Sequence, residues 1–299
     1  MSLLISAKEL SLWRDRAIQA AIAASISPAE VDWLLQEVTG LDALALRLGS
    51  YKQPENIQLE KPLSVLTQLW QQRLQKRVPV QYLVGTTPWR HFSLKVSPEV
   101  LIPRPETELI VDLAVDAAKQ NPLIDIHSGH WVDLGTGSGA IALGLAEVLT
   151  EIPIHAVDKS EAALTIAREN AENLGFTQRI KFYRGSWWEP LEHLKGKVRA
   201  MVSNPPYIPT VELSQLQPEV NRYEPHLALD GGTDGFESIR HLIETSPQYL
   251  HSGAIWLIEM MAGQAPTVEK MLEANGSYRD VKIISDLAGI DRFALAYRC

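Results

Sequence analysis

Cysteine, basic residues and long apolar segments are all scarce in this 299-residue chain. The single cysteine, Cys299, excludes a disulfide framework and a CxxC metal knuckle, and its place at the last position argues against a thiol nucleophile. Lysine and arginine number 28 against 36 acidic residues, which gives a net charge of -8. This balance argues against a broad surface for phosphate groups, so we expect no direct binding of nucleic acid.

Signals for membranes, secretion and metals are also absent from the sequence. No run of about 18 apolar residues occurs, so no transmembrane helix is predicted. The first residues lack a basic stretch followed by an apolar region and a small-residue cleavage site, which favours a cytoplasmic protein. No spacing of histidine, cysteine and carboxylate residues suggests a metal site. We expect a cytoplasmic monomer with neither a membrane anchor nor a bound metal.

The hydrophobic periodicity changes near residue 80, and this change indicates a domain boundary. Residues 1–80 are predicted to form a small helical domain, because their apolar residues recur at helical spacing. Within it, Ser27-Pro28-Ala29-Glu30 predicts a helix start with an N-cap serine and a capping-box glutamate. Residues 81–103 are predicted to be a β-hairpin linker because polar and apolar residues alternate there, and residues 104–299 to be a second domain.

The second domain has the pattern of an α/β fold. From Trp131 onward, short apolar runs alternate with helical patterns, which is typical of a parallel sheet covered by helices on both faces. The predicted strands are Trp131 to Leu134, Ile154 to Val157, Ile180 to Tyr183, Val198 to Val202, Ala254 to Glu259, Val281 to Ile284 and Phe293 to Tyr297. We therefore predict a mostly parallel, Rossmann-like sheet of seven strands.

A glycine-rich turn, Gly135-Thr136-Gly137-Ser138-Gly139, follows the first of these strands. Glycines there permit close approach of the backbone to a ligand at the carboxyl edge of the sheet. Asp158 directly follows the next predicted strand, where its carboxylate could accept hydrogen bonds from two ribose hydroxyls. Nicotinamide dinucleotides and S-adenosylmethionine both carry that ribose, so these two features leave the cofactor open. A purely structural Asp158 is the other interpretation.

The segment Asn204-Pro205-Pro206-Tyr207 narrows the choice of cofactor and reaction. It follows a predicted buried strand. Two prolines rigidify it and lack backbone N–H groups, so the Pro205 carbonyl is held without competing donors. With the side-chain oxygen of Asn204, it could accept two N–H bonds from a planar amide or aromatic amine, while Tyr207 covers the flat face. The segment therefore predicts a clamp for a planar nitrogen. A stiff turn without a ligand is the alternative interpretation.

A planar nitrogen of this kind is a weak nucleophile because its lone pair is delocalised. Correct positioning is worth up to about 7 to 11 kcal/mol in favourable systems, whereas each hydrogen bond adds only about 1 kcal/mol. The partner in the reaction must therefore be intrinsically reactive, and the sulfonium methyl group of S-adenosylmethionine has that reactivity. Methyl transfer from S-adenosylmethionine to nitrogen is the predicted reaction, with S-adenosylhomocysteine as product.

Five segments between Pro79 and the C-terminus occur in an order typical of one enzyme family. They are Pro79-Val80-Gln81-Tyr82-Leu83-Val84-Gly85, Leu101-Ile102-Pro103-Arg104-Pro105-Glu106-Thr107-Glu108, Val132-Asp133-Leu134-Gly135-Thr136-Gly137-Ser138-Gly139, Ser203-Asn204-Pro205-Pro206-Tyr207-Ile208, and Tyr223-Glu224-Pro225 with Leu229-Asp230-Gly231-Gly232. Together they resemble the release factor glutamine methyltransferases, which have a class I S-adenosylmethionine-dependent methyltransferase domain. The resemblance implies N5-methylation of the glutamine in the Gly-Gly-Gln motif of peptide chain release factors, and hence a role in translation termination.

The same resemblance implies roles for individual residues. Residues 135–139 would cradle the methionine portion of S-adenosylmethionine, Asp158 would bind its ribose, and Trp187 its adenine, with Asn204 also near the cofactor. Residues 204–207 would bind the glutamine, with Asn204 and Pro205 as the catalytic pair. The helical domain would help to dock the release factor.

Two positions depart from the pattern of the family. Ser186 stands where aspartate is common, so the adenine amino group would meet a weaker acceptor there. Met261 stands where glycine is common and is expected to reshape a loop. Trp188, next to Trp187, is interpreted as a core residue.

Three other functions remain open from the sequence. A ribosomal-protein glutamine N5-methyltransferase shares the clamp, but usually differs across residues 103–108. An amino-directed DNA methyltransferase, acting on adenine N6, uses a similar clamp for a flipped base, although the acidic balance and the lack of a long basic insert argue against it. A non-catalytic regulator with the same fold is disfavoured because the predicted donor and clamp residues are both present.

Overall fold

The computed structural model describes residues 3–53, 56–59, 61–122 and 128–299. It divides the chain into two compact units. The helical unit comprises Met1–Gly85 and Pro218–Tyr223, and the sheet unit comprises Thr86–Gln217 and Glu224–Cys299. No helix among the described residues is both long enough and apolar enough to cross a membrane.

The regular elements of both units are numbered here in chain order. The strands are β1 (Leu3–Ser6), β2 (Asn56–Leu59), β3 (Thr86–Trp89), β4 (Phe92–Lys95), β5 (His130–Leu134), β6 (Ile154–Asp158), β7 (Ile180–Arg184), β8 (Val198–Ser203), β9 (Leu250–Glu259), β10 (Tyr278–Ser285) and β11 (Asp291–Arg298). The α-helices are α1 (Ala7–Ala23), α2 (Ala29–Thr39), α3 (Ala43–Leu48), α4 (Leu63–Lys76), α5 (Val80–Val84), α6 (Leu109–Gln120), α7 (Ala140–Val148), α8 (Glu161–Asn173), α9 (Pro218–Tyr223), α10 (Glu237–Thr245) and α11 (Ala265–Asn275).

The helical unit packs α1 to α5 around a core of buried leucines and valines. It also contains an antiparallel pair, β1 with β2, which the helical periodicity did not predict. Ile57 and Leu59 of β2 are buried and alternate with exposed residues, so this strand contributes one face to the same core.

The predicted capping box at the start of α2 is wrong. The helix begins at Ala29 without a side-chain cap, and the Glu30 carboxylate instead accepts a hydrogen bond from Arg73 Nη2 at 2.9 Å. Arg73 Nη1 also donates to Glu219 of α9 at 2.7 Å, and Arg73 is only 5 % exposed. A buried guanidinium needs paired acceptors, so this tertiary ion pair takes Glu30 away from the local cap.

The sheet unit contains a seven-stranded sheet in the order β10-β11-β9-β8-β5-β6-β7. The strands β9, β8, β5, β6 and β7 run parallel, whereas β10 and β11 add an antiparallel edge. This confirms the predicted α/β fold with a mostly parallel sheet. The strand β9 begins at Leu250 rather than at Ala254, because Leu250 pairs with Val198 at the start of β8.

Both faces of the sheet are buried, which explains the continuous apolar runs of its central strands. In β8, Ala200 and Val202 face a core that includes α6 and α7, while Met201 faces a second core that includes α10 and α11. The strands β3 and β4 form a separate antiparallel hairpin within the sheet unit, and α5 precedes it within the helical unit.

Asp133 joins the end of β5 to the beginning of α7. Its side chain is fully buried, and Oδ2 accepts hydrogen bonds from the Thr136 hydroxyl at 2.6 Å and the Ala142 N–H at 3.1 Å. Burial raises the pKa of Asp133 to about 7, against the lowering effect of these two donors. The carboxyl group thus holds the glycine turn against the first turn of the helix.

The raised pKa predicts a specific pH dependence of stability. Between the unfolded pKa of about 4 and the folded pKa, the folded protein binds more protons at Asp133, so the free energy of unfolding falls as the pH rises. We expect Asp133→Asn to remove a fall on the order of 3 kcal/mol between pH 4 and pH 8. Urea unfolding of parent and variant at several pH values measures the difference.

The matched control is Asp116→Asn, which alters an exposed carboxylate on α6. It should follow the parent across the whole pH range. A parental pH dependence in Asp133→Asn would show that Asp133 is not the group responsible.

Candidate active site

The predicted ligand-binding segments meet at one edge of the sheet. Parallel pairing aligns Leu134 of β5 with Val157 of β6 and with Ser203 of β8, and Ser203 in turn with Ile258 of β9. The segments that follow these strands therefore lie together at their carboxyl ends, where ligands bind in open α/β sheets.

A cavity of about 730 Å³ opens at this edge. The predicted site residues that line it are Gly135, Thr136, Gly137, Ser138, Asp158, Trp187, Asn204 and Pro206. Gly139, Pro205 and Tyr207 do not line it. Gly139 instead precedes α7, where an added Cβ would lie 3.2 Å from Ala167 Cβ of α8. A glycine at this position thus permits close packing of α7 against α8.

The glycine turn needs glycine for its backbone conformation. Gly135, Gly137 and Gly139 have φ angles of 77°, 54° and 86°, in the region that side chains disfavour. The N–H groups of Gly135 and Thr136 both donate to the carbonyl of Val157, at 2.9 and 3.0 Å. These hydrogen bonds attach the turn to the end of β6, and Gly135 and Gly137 line the cavity.

Asp158 holds the second side of the turn. Its Oδ2 accepts the Gly137 N–H at 2.9 Å, and its Oδ1 accepts the Ser160 N–H at 2.8 Å. Burial raises the pKa of the Asp158 carboxyl, although these backbone donors oppose the rise. The Lys159 N–H also acts on this carboxylate. A carboxylate has about four lone-pair sites in all, so it can still accept a hydrogen bond from a ligand in the cavity.

Trp187 and Trp188 have different environments. Trp187 lines the cavity and has a φ of 53°, an uncommon conformation for a bulky residue. Trp188 is 2 % exposed and stacks on Tyr249 with ring centroids 4.4 Å apart, so it belongs to the core. Ser186 also lines the cavity, and its N–H donates to Glu189 Oε2 at 3.0 Å.

A chain of side-chain hydrogen bonds lies behind the Asn204 to Tyr207 segment. Asn204 Nδ2 donates to Thr107 Oγ1 at 3.3 Å, and Thr107 Oγ1 donates to Glu259 Oε2 at 2.6 Å. Tyr207 Oη donates to the other oxygen, Glu259 Oε1, at 3.2 Å. One carboxylate at the end of β9 therefore connects two residues of the predicted clamp.

The sequence interpretation missed the roles of Thr107 and Glu259. Thr107 lies in a short 3-10 helix, Pro105–Glu108, and was noted only as part of a family segment. Glu259 follows the apolar run of β9 and is 1 % exposed. A carboxylate that ends a buried strand beside the predicted site is a usable signal, because a buried charge needs partners.

The electrostatics around Glu259 reflect its burial. Burial raises the pKa of the Glu259 carboxyl, while the hydrogen bonds from Thr107 and Tyr207 and the charge of Arg292 lower it. Burial and the neighbouring Glu259 in turn raise the pKa of the Tyr207 phenol, so Tyr207 keeps its proton and remains a donor at neutral pH.

A glycine-rich loop, residues 229–235, supports the backbone of Tyr207. An added Cβ at Gly231 would lie 2.8 Å from Tyr207 Cα, so the loop can approach only as glycine. The Gln264 side chain donates to the carbonyls of Tyr207 and Gly235 at 3.0 and 3.1 Å. Met261, one of the two departures from the family pattern, contributes its backbone N–H to Gln264 Oε1 at 3.0 Å.

A second ion pair links two of the family segments. Arg104 lines the cavity, and its Nη2 donates to both oxygens of Glu224, at 2.8 and 2.7 Å. Glu224 is 4 % exposed. Burial raises the pKa of Glu224, and the Arg104 charge opposes that rise. This pair holds residues 103–108 beside the cavity.

Comparison with known proteins places this fold among those of methyltransferase domains. Residues 127–224 match a family model described as a methyltransferase domain. The catalytic domain of hMettl16 superposes with a TM-score of 0.56 and 15 % sequence identity, covering 78 % of this chain and 80 % of that one. At this identity the likeness establishes the fold alone, and the fold is that of a methyltransferase domain.

Curated relatives match over nearly the whole chain. The release factor glutamine methyltransferase of Synechocystis is 52 % identical over 295 residues, covering 98 % of this chain and 97 % of the relative. That of Thermosynechococcus vestitus is 48 % identical, covering 89 % and 90 %, and that of Gloeobacter violaceus is 42 % identical, covering 95 % and 96 %. The chain belongs to the release factor glutamine methyltransferase family.

Proposed function

We propose that this chain transfers a methyl group from S-adenosylmethionine to the side-chain amide nitrogen of the glutamine in the Gly-Gly-Gln motif of peptide chain release factors. The products are N5-methylglutamine, S-adenosylhomocysteine and the proton that the amide nitrogen loses after methyl transfer. The process served is translation termination. The proposal rests on the position of Asn204, which lines the same cavity as the glycine turn. The chain also belongs to the release factor glutamine methyltransferase family.

The residues around the cavity fit S-adenosylmethionine. When bound, this cofactor supplies an electrophilic methyl group. The family and fold imply its use, and the glycine turn permits close approach of the backbone. We assign residues 135–139 to the methionine portion, Asp158 to the ribose hydroxyls and Trp187 to the adenine, with Asn204 nearby.

The acceptor glutamine is assigned to residues 204–207. Asn204 Oδ1 and the Pro205 carbonyl would accept the two N–H bonds of the amide, and Tyr207 would cover its flat face. An amide nitrogen is a weak nucleophile, so these residues act by holding it in one orientation, an effect worth up to about 7 to 11 kcal/mol in favourable systems. No side chain needs to become a covalent nucleophile.

We assign the helical unit to docking of the release factor. In support, several large apolar side chains of this unit are exposed: Leu4, Leu12, Ile22, Leu44 and Leu48. Contiguous apolar patches mark protein contacts, and Leu44 and Leu48 share one face of α3 because they are four positions apart. We further propose that the protein acts as a monomer in the cytoplasm, without direct contact to nucleic acid.

The first test concerns the acceptor. The full-length protein is incubated with labelled S-adenosylmethionine and, separately, intact release factor, ribosomal protein or DNA. We expect label only on the release factor, at the glutamine of its Gly-Gly-Gln motif, as located by mass spectrometry. Label on DNA or on ribosomal protein alone would refute the proposed acceptor.

The second test concerns the clamp. Asn204→Ala removes one of the two proposed acceptors, so we expect kcat for release factor to fall about 100-fold, in line with the cost of a misplaced reacting group. The variant should keep its fold and still bind S-adenosylmethionine in calorimetry. Asn173→Ala, at an exposed position on α8, is the control. Parental turnover by a folded Asn204→Ala protein would eliminate the role.

The third test concerns the ribose. Asp158→Ala removes the proposed acceptor for both hydroxyls, so the Kd for S-adenosylmethionine should rise about 10- to 100-fold, the cost of one or two hydrogen bonds to a charged group. Isothermal titration of the folded variant measures this change, and Asp116→Ala on α6 is the exposed control. An unchanged Kd would remove Asp158 from the cofactor site.

A further inference from the structure

We propose that Glu259 and Thr107 act as positioning residues that fix the orientation of the Asn204 side-chain amide, so that it presents its oxygen to the acceptor. The inference rests on the proposed function, since it concerns how Asn204 receives an N–H of the glutamine. It adds two residues to the site that are far from Asn204 in sequence.

An asparagine amide has nearly the same shape in its two flipped orientations, so packing alone does not select one. One orientation presents an acceptor oxygen, and the other presents an NH₂ group with two donors. Only the first can bind an N–H of a planar amide. A clamp built on asparagine therefore needs a neighbour that distinguishes the oxygen from the nitrogen.

Thr107 is that neighbour, because its hydroxyl has only one proton to donate. Its hydroxyl has one proton, which is donated to Glu259 Oε2 at 2.6 Å. The remaining lone pairs can only accept, and Asn204 Nδ2 donates to them at 3.3 Å. The Asn204 nitrogen is thereby turned toward Thr107, and Oδ1 is left as the acceptor of a side chain that lines the cavity.

Glu259 determines which group donates in each hydrogen bond between Glu259, Thr107 and Asn204. An ionised carboxylate only accepts hydrogen bonds, so it compels the Thr107 hydroxyl to donate. The groups that act on it are the Thr107 hydroxyl, the Tyr207 phenol, the Arg292 guanidinium, which favours ionisation, and Glu106, which opposes it. Tyr207 donates to Oε1 at 3.2 Å, so the same carboxylate also restrains the ring of the clamp.

A change in which group donates the Thr107 hydrogen bond would alter the group that Asn204 presents to the substrate. If Glu259 is protonated or replaced by a donor, the Thr107 hydroxyl is free to donate to Asn204 Oδ1 instead. The amide then turns its NH₂ group to the cavity, where it opposes the N–H of the glutamine. The expected defect is in turnover of correctly bound substrates, because the glycine turn and Asp158 do not take part in the chain of bonds.

The test compares the full-length parent with Thr107→Val, which keeps the shape and removes the hydroxyl, and Thr107→Ser, which keeps the hydroxyl. With intact release factor and saturating S-adenosylmethionine, kcat should fall about 30- to 100-fold in Thr107→Val, and Thr107→Ser should recover most of that loss. The Kd for S-adenosylmethionine should stay within about threefold of the parent in both variants. Thr165→Val, at an exposed position on α8, controls for the substitution itself.

A second series separates a directed chain of bonds from simple packing. Glu259→Gln keeps the shape of the side chain and removes its charge. In the double variant with Thr107→Val, kcat should be no lower than in Thr107→Val alone, because the two residues act through one bond. We expect the parental kcat to fall at acidic pH as Glu259 is protonated, and this acidic limb of the profile should be absent in Thr107→Val. If Thr107→Val does not fold, Glu259→Gln must lose both turnover and this limb.

Nuclear magnetic resonance tests the orientation without relying on turnover. The Asn204 Nδ2 protons, assigned by their loss in Asn204→Ala, should shift in Thr107→Val and keep parental positions in Thr107→Ser. The proposal is overturned if Thr107→Val keeps the parental kcat, or if Thr107→Val and Thr107→Ser lose kcat equally. It is also overturned if the losses of kcat in the double variant are independent, or if the resonances of the Asn204 Nδ2 protons do not shift in Thr107→Val. A parent protein that does not methylate release factor refutes the proposed function instead, and the resonances then decide the orientation separately.

Discussion

The parallel pairing of β8 between β5 and β9 is the constraint on which the site depends. Parallel strands end at the same edge of a sheet, so pairing brings together segments that are remote in sequence. The glycine turn after β5, Asn204 after β8 and Glu259 at the end of β9 become neighbours for this reason. Burial of both sheet faces holds these strand ends in register.

Three carboxylates, of which Asp133 and Glu259 are buried and Asp158 is partly buried, organise this edge of the sheet. Asp133 ties the glycine turn to α7, Asp158 ties it to β6, and Glu259 connects Thr107 with Tyr207. Burial raises the pKa of all three, and each one is supplied with N–H or O–H donors that oppose that rise. These carboxylates therefore lower the free energy of unfolding near neutral pH, while their hydrogen bonds fix backbone and side-chain positions in the site.

Local patterns in the sequence predicted most of the fold. The strands of the large sheet were recognisable because residues such as Ala200 to Val202 are buried on both faces and form continuous apolar runs. The glycine turn was recognisable because glycine is the residue that most readily adopts positive φ angles such as those of this turn. The pair β1 and β2 was not predicted, since a short edge pair has little periodicity, and the capping box failed because Glu30 has a tertiary partner, Arg73.

By itself, the sequence determined the class of the fold, the glycine turn and the clamp segment, because each depends on residue types close together in the chain. Only the tertiary structure decided which groups hold that clamp. Thr107, Asn204 and Glu259 are joined by hydrogen bonds across long sequence separations, as are Arg104 and Glu224. No local pattern encodes such partners, because the need of a buried polar group for a partner is met by whichever strand end or loop the packing brings beside it.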